Sequence, residues 1–425
     1  MRRSWLVLLF CLAGSVLAGN WPRFRGPNGT GHSPDRGLVA QWDDTHERWR
    51  TALPGDGHSS PVIWNDRLYV TAAKENQAWL LALDVHTGRV LWQKDSMLSA
   101  YRMNTLNHYA AGTPACDADG VYVIWATAAD TQVVALDHEG KPRWNRSFGP
   151  TISRHGPCKS PMLHGSLLVF TMEQRPNAQN VPSAWYALDT ATGQTRWRLS
   201  RNDSDYISYS TPCVYTPSDG PDQLVFSSLA HGLTGVEAAT GQVLWEEATA
   251  CPERVVACPI VAGDLILATC GEGGTGRRLT AVRPPAPGST DPVLAYVSSD
   301  SRIVPYVPTM LAVEDLIFAF HDLGPVTCFD AATGNVLWSE KPGGRFYCSG
   351  VFADGKVFCA NMDGQVVVLR ASREYELLGV NDLGEKTFAT PAIVEGRLYA
   401  RTASSLKCID LRQHADRPDP AGTAK

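Results

Sequence analysis

Beyond its first twenty residues the sequence has no apolar run long enough to cross a bilayer, and nowhere does it carry a block of like charge. Positive charge is not in surplus either: 38 basic residues face 43 acidic ones, a formal net charge of −5 at pH 7, whereas a protein held to nucleic acid by phosphate contacts would be basic. At 19% charged and 44% hydrophobic, the chain has too little charge for a coiled coil and too much apolar content for disorder. Its 11 cysteines include no adjacent pair, no Cys-x-x-Cys-His haem attachment sequence and no metal-ligand spacing. What is plentiful is turn chemistry, with 37 Gly and 28 Pro in 425 residues. That length calls for several domains or one large closed architecture.

Arg2 and Arg3 precede an apolar stretch from Trp5 to Leu12, and Val16-Leu17-Ala18 supplies the small residues of a signal-peptidase site, so residues 1–18 read as a secretory leader cut after Ala18. Cys11 lies inside the apolar region without a lipoprotein cleavage pattern. The mature chain is expected in the periplasm or outside the cell. Disulfides can form there, and Cys251 and Cys258, which flank one loop, are the best local pair. Cys116, Cys213, Cys328, Cys359 and Cys408 fall in predicted strands and are expected to be buried as small hydrophobes. His32, His46, His86 and His138 stand isolated in turns, so no metal site is expected.

Repetition sets the architecture. A Ser/Thr/Cys-Pro step, or a near equivalent, recurs eight times, at Ser60-Pro61, Thr113-Pro114, Ser160-Pro161, Thr211-Pro212, Cys258-Pro259, Val307-Pro308, Ser349-Gly350 and Thr390-Pro391. Each is followed by a short apolar run, a turn and an alternating run such as Arg67-Leu68-Tyr69-Val70, which reads as paired antiparallel strands. The unit ends in a sharper signature: Asp84-Val85-His86-Thr87-Gly88 leads to Trp92, Asp189 to Gly193 leads to Trp197, and Asp330 to Gly334 leads to Trp338. Gly241 with Trp245 and Gly140 with Trp144 vary the same theme. Gly four residues before Trp suits a hairpin turn at positive φ, with the ring at a fixed place on the next strand. Tyr296 takes the aromatic role in the fifth unit, and the seventh has only Leu377, predicting looser packing there.

Four strands in each of eight units predict an all-β fold, an eight-bladed β-propeller of four-stranded antiparallel blades. The eighth copy lacks a final Trp strand, and an orphan one, Glu47 to Leu53 with Trp49, precedes the first. Pairing the two closes the ring and removes both edges. Residues 47–412 span 366 positions, about 46 per blade. A 19–46 extension precedes the ring, and a tail at 413–425, rich in Asp, Pro and Ala, reads as disordered. Trp49, Trp92, Trp144, Trp197, Trp245 and Trp338 are the structural docking residues.

The Asp-x-x-Thr-Gly-x-x-x-Trp units resemble the tryptophan-docking repeats of the pyrroloquinoline-quinone (PQQ) repeat superfamily, which includes quinoprotein alcohol dehydrogenases and the propeller of the outer-membrane barrel-assembly machinery. Trp21-Pro22-Arg23-Phe24-Arg25-Gly26-Pro27-Asn28-Gly29-Thr30-Gly31 and Asn381-Asp382-Leu383-Gly384 are similar to segments of secreted PQQ-like proteins of planctomycete-type bacteria. The resemblance implies the propeller, but the repeat itself does not imply the cofactor. A quinoprotein dehydrogenase is expected to carry a vicinal cysteine pair, a Ca²⁺ site and an aspartate base, and no such residue is transferred to this chain.

The loops before each first strand converge on the central opening. They contribute His58, His108, Arg154, His155, Tyr206, Tyr209, Arg254, Arg302, Tyr306, Arg345, Tyr347 and Lys386 with Phe388, a cationic and aromatic set suited to an anionic or planar ligand. Asp56, Glu253, Asp300 and Glu385 are interspersed. The Gly271 to Gly276 run lacks the Lys-Ser/Thr and helix of a phosphate loop and reads as a hairpin connection; Arg283 to Pro292 reads as an insertion in the fifth unit, and Glu173 to Ala184 as a long loop. The expectation is a monomeric binding or scaffolding module for a protein, small-molecule or glycan ligand, with no cofactor and no nucleic acid. Two alternatives stand beside it: a divergent quinoprotein oxidoreductase using PQQ and Ca²⁺, with Arg302 or His155 essential, and an envelope protein-assembly platform.

Overall fold

The computed structural model describes residues 19–413 apart from 102, 157, 178, 274, 275 and 287. The leader and the tail after Gln413 lie outside the described residues. Each sequence unit folds as its turns dictate. In blade 1, Val62–Trp64, Arg67–Lys74, Gln77–Asp84 and Val90–Met97 pair antiparallel in chain order, the three inner strands buried and the outermost largely exposed. Seven such sheets occupy 62–97, 115–147, 162–200, 213–247, 260–298, 311–340 and 351–382. The eighth takes three strands from 392–410 and its outermost strand from Glu47–Ala52, which pairs with Ser405–Asp410 so that Trp49 lies opposite Cys408. The ring is closed by its own first strand, as expected.

The Gly–Trp spacing acts between blades. Trp49 Nε1 donates to the Val85 carbonyl at 3.1 Å, Trp92 to His138 at 2.9 Å, Trp144 to Thr190 at 2.9 Å and Trp197 to Ala238 at 2.9 Å, each acceptor lying in the turn of the next blade. The Gly of that turn has to be Gly for two reasons. Its φ is positive, +71° at Gly88 and +69° at Gly193, and a Cβ would sit 2.5 Å from the Trp49 ring or 2.7 Å from the Trp144 ring. Tyr296 fills the role as expected, its hydroxyl donating to Ala331 at 2.8 Å over Gly334. In all eight blades a β-bulge falls just before the docking position, which carries an aromatic residue in seven of them.

Three expectations need correction. The seventh docking position is Gly379, opposite Val368, and Leu377 stands half-exposed two residues earlier. Packing there is close, because residues 40–42 of the extension cross it: a Cβ on Gly379 would meet the Ala40 carbonyl oxygen at 2.4 Å, and Asn381 clamps the segment through Trp42 N and Ala40 O. Trp245 docks within its own blade, its Nε1 donating to Gln223 at 2.7 Å over Gly235, since the 283–292 insertion replaces the next blade's Thr-Gly turn. Cys251 and Cys258 do not pair. Cys251 lies against Cys270, Cys258 sits at the channel, and all ten described cysteines are free. Cys116, Cys213, Cys328, Cys359 and Cys408 are buried in strands. The four turn histidines are tied separately, His32 to Ala312 O, His46 to Asp43, His86 to Asp66 and His138 to Tyr69.

The recurring Ser/Thr/Cys-Pro step links neighbouring blades at six of the eight junctions around an inner ring. Backbone N–H groups donate from Ser60 to Thr113 Oγ1 (2.9 Å), Thr113 to Ser160 Oγ (2.9 Å), Thr211 to Cys258 Sγ (3.2 Å), Cys258 to Thr309 Oγ1 (3.0 Å), Thr309 to Ser349 Oγ (3.1 Å) and Ser349 to Thr390 Oγ1 (2.9 Å). In the sixth blade the ring residue is therefore Thr309, two positions beyond the expected Val307-Pro308 step, with Met310 standing where six of the other seven have Pro and the seventh blade has Gly350. Below this ring the extension plugs the channel. Trp21 bridges Ile63, Arg23 bonds to Pro212 O and Arg25 to Met310 O, and the chain then runs past Phe352 and Arg412 to the closing strand.

Candidate ligand-binding funnel

Above the ring, the loops entering each blade enclose a cavity of about 470 Å³ to which every blade contributes. Its base includes the ring residues Thr113, Ser160, Thr211, Cys258, Thr309, Ser349 and Thr390, and Phe24 of the plug, so the funnel is blind. Of the twelve residues expected there, His58, His155, Tyr209, Arg254, Tyr306, Arg345 and Tyr347 line it. His108 stands behind His58, ring centroids 5.8 Å apart, and Tyr206 backs Arg254 while accepting a bond from Arg154 Nη1 at 3.0 Å. Arg302 and Lys386 are not in the lining. Arg302 is 86% exposed at its side chain and folds back onto Asp300 at 2.6 Å, because the two sit on the same turn at the rim.

The two halves of the wall differ in chemistry. On the blade 8 and blade 1 side, the His58 ring lies 4.7 Å from Phe388, whose other neighbour is Tyr347 at 5.8 Å edge-on. Burial, with His108 and buried Arg401 nearby, holds the His58 imidazole down to about 3, so it is neutral at physiological pH. On the blade 4 to 6 side the Arg254 guanidinium lies near the rings of Tyr306 (5.0 Å) and Tyr206 (5.4 Å). Burial and the Arg254 and Arg154 charges lower the basicity of His155, and burial pushes Tyr209 up to about 12.

Among the described residues neither Arg254 nor Arg345 forms an ion pair, and Arg254 Nε has no hydrogen-bond partner. The interspersed acids turn away: Asp300 binds Arg302, Glu385 binds Thr402 and Ser404, and neither Asp56 nor Glu253 reaches the cavity. The carboxylate in the lining is Asp322, which is already neutralised. Arg277, fully buried, grips it with both Nη atoms at 2.6 and 2.8 Å, and Tyr306 N adds a third bond. The funnel thus offers two cationic heads without carboxylate partners, Arg254 and Arg345, the latter donating through Nε to the Asp322 carbonyl at 3.0 Å, above a floor of hydroxyl and thiol groups and Phe24.

Sequence reasoning missed Phe24, Asp322 and Leu323, and Asn104 and Asn107 beside His155. Phe24 comes from a segment remote in the chain. Asp322 lies in a hairpin turn, where a carboxylate ordinarily reads as solvated. Gly273 of the glycine-rich run reaches the funnel, and Arg278–Arg283 follows it as a strand, in keeping with a hairpin connection.

Family and structural comparisons agree on the scaffold. The model described as outer membrane protein assembly factor BamB matches residues 29–151, 102–301 and 308–416. No curated protein matches the chain by sequence. The crystal structure of BamB from Moraxella catarrhalis superposes with a TM-score of 0.58 at 15% identity, covering 87% of this chain and 98% of that one. Quinohemoprotein alcohol dehydrogenase from Comamonas testosteroni gives a TM-score of 0.65 at 13% identity, covering 97% and 83%. The computationally designed Ika8 protein gives 0.61 at 12% identity, covering 86% and 99%. At these identities the likeness is one of fold.

Proposed function

The chain belongs to the PQQ-type repeat propeller family whose model is described as outer membrane protein assembly factor BamB, and from that premise we propose that it is an exported, monomeric binding and scaffolding propeller whose funnel holds a planar, anionic ligand. The observation that carries this reading is Arg254, flanked by Tyr206 and Tyr306 and free of any carboxylate partner at the wall of a blind aromatic cavity. A guanidinium flanked by two rings and without a carboxylate partner can take a ligand carboxylate through two N–H donors. The aromatic surface of Phe24, Phe388 and Tyr347 offers a face for a flat scaffold. The leader-like first 18 residues support a place in the periplasm or outside the cell.

The dehydrogenase alternative requires Ca²⁺ beside the quinone. PQQ itself is a planar tricarboxylate that suits Arg254 and Arg345. Its metal does not fit: Ca²⁺ takes six to eight oxygens, whereas both oxygens of Asp322 are held by Arg277 and Tyr306 N. No group of three or more His, Cys, Asp or Glu among the described residues could hold a metal.

Calorimetric titration with quinoline and naphthalene carboxylates tests the binding reading. Binding is expected in the native protein and at least tenfold weaker in Arg254→Ala; indifference to every planar anion would remove the reading. Dye-linked alcohol or sugar oxidation with added PQQ and Ca²⁺ provides the opposing assay, and robust turnover would overturn the scaffold assignment. The assembly-platform reading is favoured by one surface feature. On the outermost strand of blade 5, Val293, Leu294 and Val297 are exposed at 55%, 43% and 39%, an edge open to strand addition. Pull-down from an envelope extract, repeated with Leu294→Lys, separates a stoichiometric edge-bound partner from none.

A further inference from the structure

At the funnel base the inner ring carries Ser or Thr in seven blades and Cys258 in the fifth. Its neighbours in the ring are Thr211, whose N–H donates to Cys258 Sγ at 3.2 Å, and Thr309, whose Oγ1 accepts from Cys258 N at 3.0 Å. The plug sets an arginine against the residue that follows each of them. Arg23 donates to Pro212 O at 3.1 and 3.2 Å and Arg25 Nη2 to Met310 O at 2.8 Å, so the two guanidiniums are anchored on either side of Cys258. Arg23 and Arg25 are 4% and 1% exposed, and Arg23 Nε, Arg25 Nε and Arg25 Nη1 have no hydrogen-bond partner. Burial pulls Arg25 down to about 10, which leaves it charged at neutral pH, and Cys258 is the group that most opposes that pull. Burial lowers Arg23 too, again with Cys258 as the chief opposing group. Positive charge beside an accessible thiol favours the thiolate, which is the nucleophile.

Access separates Cys258 from the other thiols. Of the ten described cysteines, eight are buried, and the remaining two, Cys158 and Cys258, both line the funnel. Burial pushes Cys158 up to about 11, and Cys213, which also feels Arg23, up to about 12. On the opposite side of the ring, in blade 1, Ser60 lines the same base, 1% exposed and with its Oγ unpartnered, a polar group left for whatever reaches Cys258. We propose that Cys258 is a modification site, a reactive thiol that small disulfides entering the funnel convert to a mixed disulfide. The Cys258 thiolate attacks one sulfur of R–S–S–R, a Cys258–S–S–R bond forms, and the original S–S bond breaks. Its electron pair leaves on the second sulfur, which takes the proton that Cys258 gave up, so the disulfide is the oxidant and one R–SH is released. The site requires the funnel to admit small molecules and does not require the planar-anion reading.

Spectrophotometric labelling of the folded full chain at neutral pH, with the anionic aromatic disulfide dithiobis(nitrobenzoate) and with neutral dithiodipyridine, tests the proposal. One of the described thiols should react at least about tenfold faster than any other, and mass mapping of the labelled peptides should place the adduct on Cys258. Cys258→Ser, which installs the residue found at this ring position in blades 1, 3 and 7, should fold and lose the fast phase. Arg25→Met should slow that phase about fivefold or more. Fast labelling by dithiodipyridine alone would uphold the reactive thiol and count against the anion-binding funnel. No fast phase with either reagent, a fast phase retained in Cys258→Ser, an adduct on Cys158, or an unchanged rate in folded Arg25→Met would each overturn the proposal.

Discussion

At the outer radius of the ring one contact recurs, an aromatic side chain seated on the glycine turn of the next blade. At the inner radius the entering loops occupy equivalent places yet carry His58 in one blade, Tyr209 in another and Arg254 in a third. The outer belt is repeated because each interface solves the same packing problem, and a four-stranded sheet has to bury both faces against its neighbours. The funnel wall is under no such demand. Its side chains meet across the axis, so each is free to differ, and ligand specificity accumulates where the repeat breaks.

Breaking the outer belt at its seam should have the largest effect. Removing residues 47–53 strips Trp49 from its seat on Gly88 and bares the edge of Ser405–Asp410. A buried Trp alone is worth about 3 to 5 kcal/mol, against a whole-protein stability of about 5 to 15 kcal/mol, so the truncated chain should unfold or aggregate. Circular dichroism melting and gel filtration check this, and a truncation that melts with the full-length protein would refute the closure. Next in size is Gly193→Ala, which drives a Cβ to 2.7 Å from Trp144 at φ +69° and should cost about 2 to 4 kcal/mol by urea unfolding. Gly165→Ala is the control. Its φ is +53° with nothing within 4 Å, and it should cost about 1 kcal/mol. Equal costs would mean that backbone conformation, not docking, selects these glycines.

The funnel predictions are smaller. His58 is neutral in the folded state and free to protonate once unfolded, so protons favour the unfolded chain below about pH 6.5. Stability should be fully present above that pH and fall as pH drops toward 3, with His58 accounting for about 2 kcal/mol between pH 7 and 5. His58→Gln should flatten that part of the curve, and an unchanged pH profile would place the ring in water. Thr309→Val removes one ring acceptor and leaves the Cys258 N–H without its partner, at a cost of about 1 kcal/mol. Arg302→Ala should leave the melting temperature and planar-anion binding unchanged. Lost binding would extend the site to the rim.

How far the funnel could be read in advance is shown by its members. His155, Tyr209, Arg254 and Tyr306 were identifiable because each lies in a loop just ahead of a repeat step, and the repeat fixes where that loop arrives. Arg302 lies in the same kind of loop, yet local pairing with Asp300 two residues away turned it outward. Phe24 gave no signal. It reaches the funnel base only because Arg23 and Arg25 anchor the plug to carbonyls 189 and 285 residues away. Gly379 was misread for a related reason: an empty aromatic position looks like weakness until the strand that fills it is seen.

By itself the sequence determined the eight blades, their four-stranded order and the closure by Glu47–Ala52, because these follow from turn chemistry and strand alternation within some 46 residues, repeated until the period was unmistakable. The tertiary structure alone decided that the docking glycines answer to the preceding blade's aromatic ring, that the extension plugs the channel, and which loop side chains turn inward. Those outcomes depend on groups brought together across the ring. Sequence spacing carries no information about the direction in which a loop side chain is pulled by a partner hundreds of residues away.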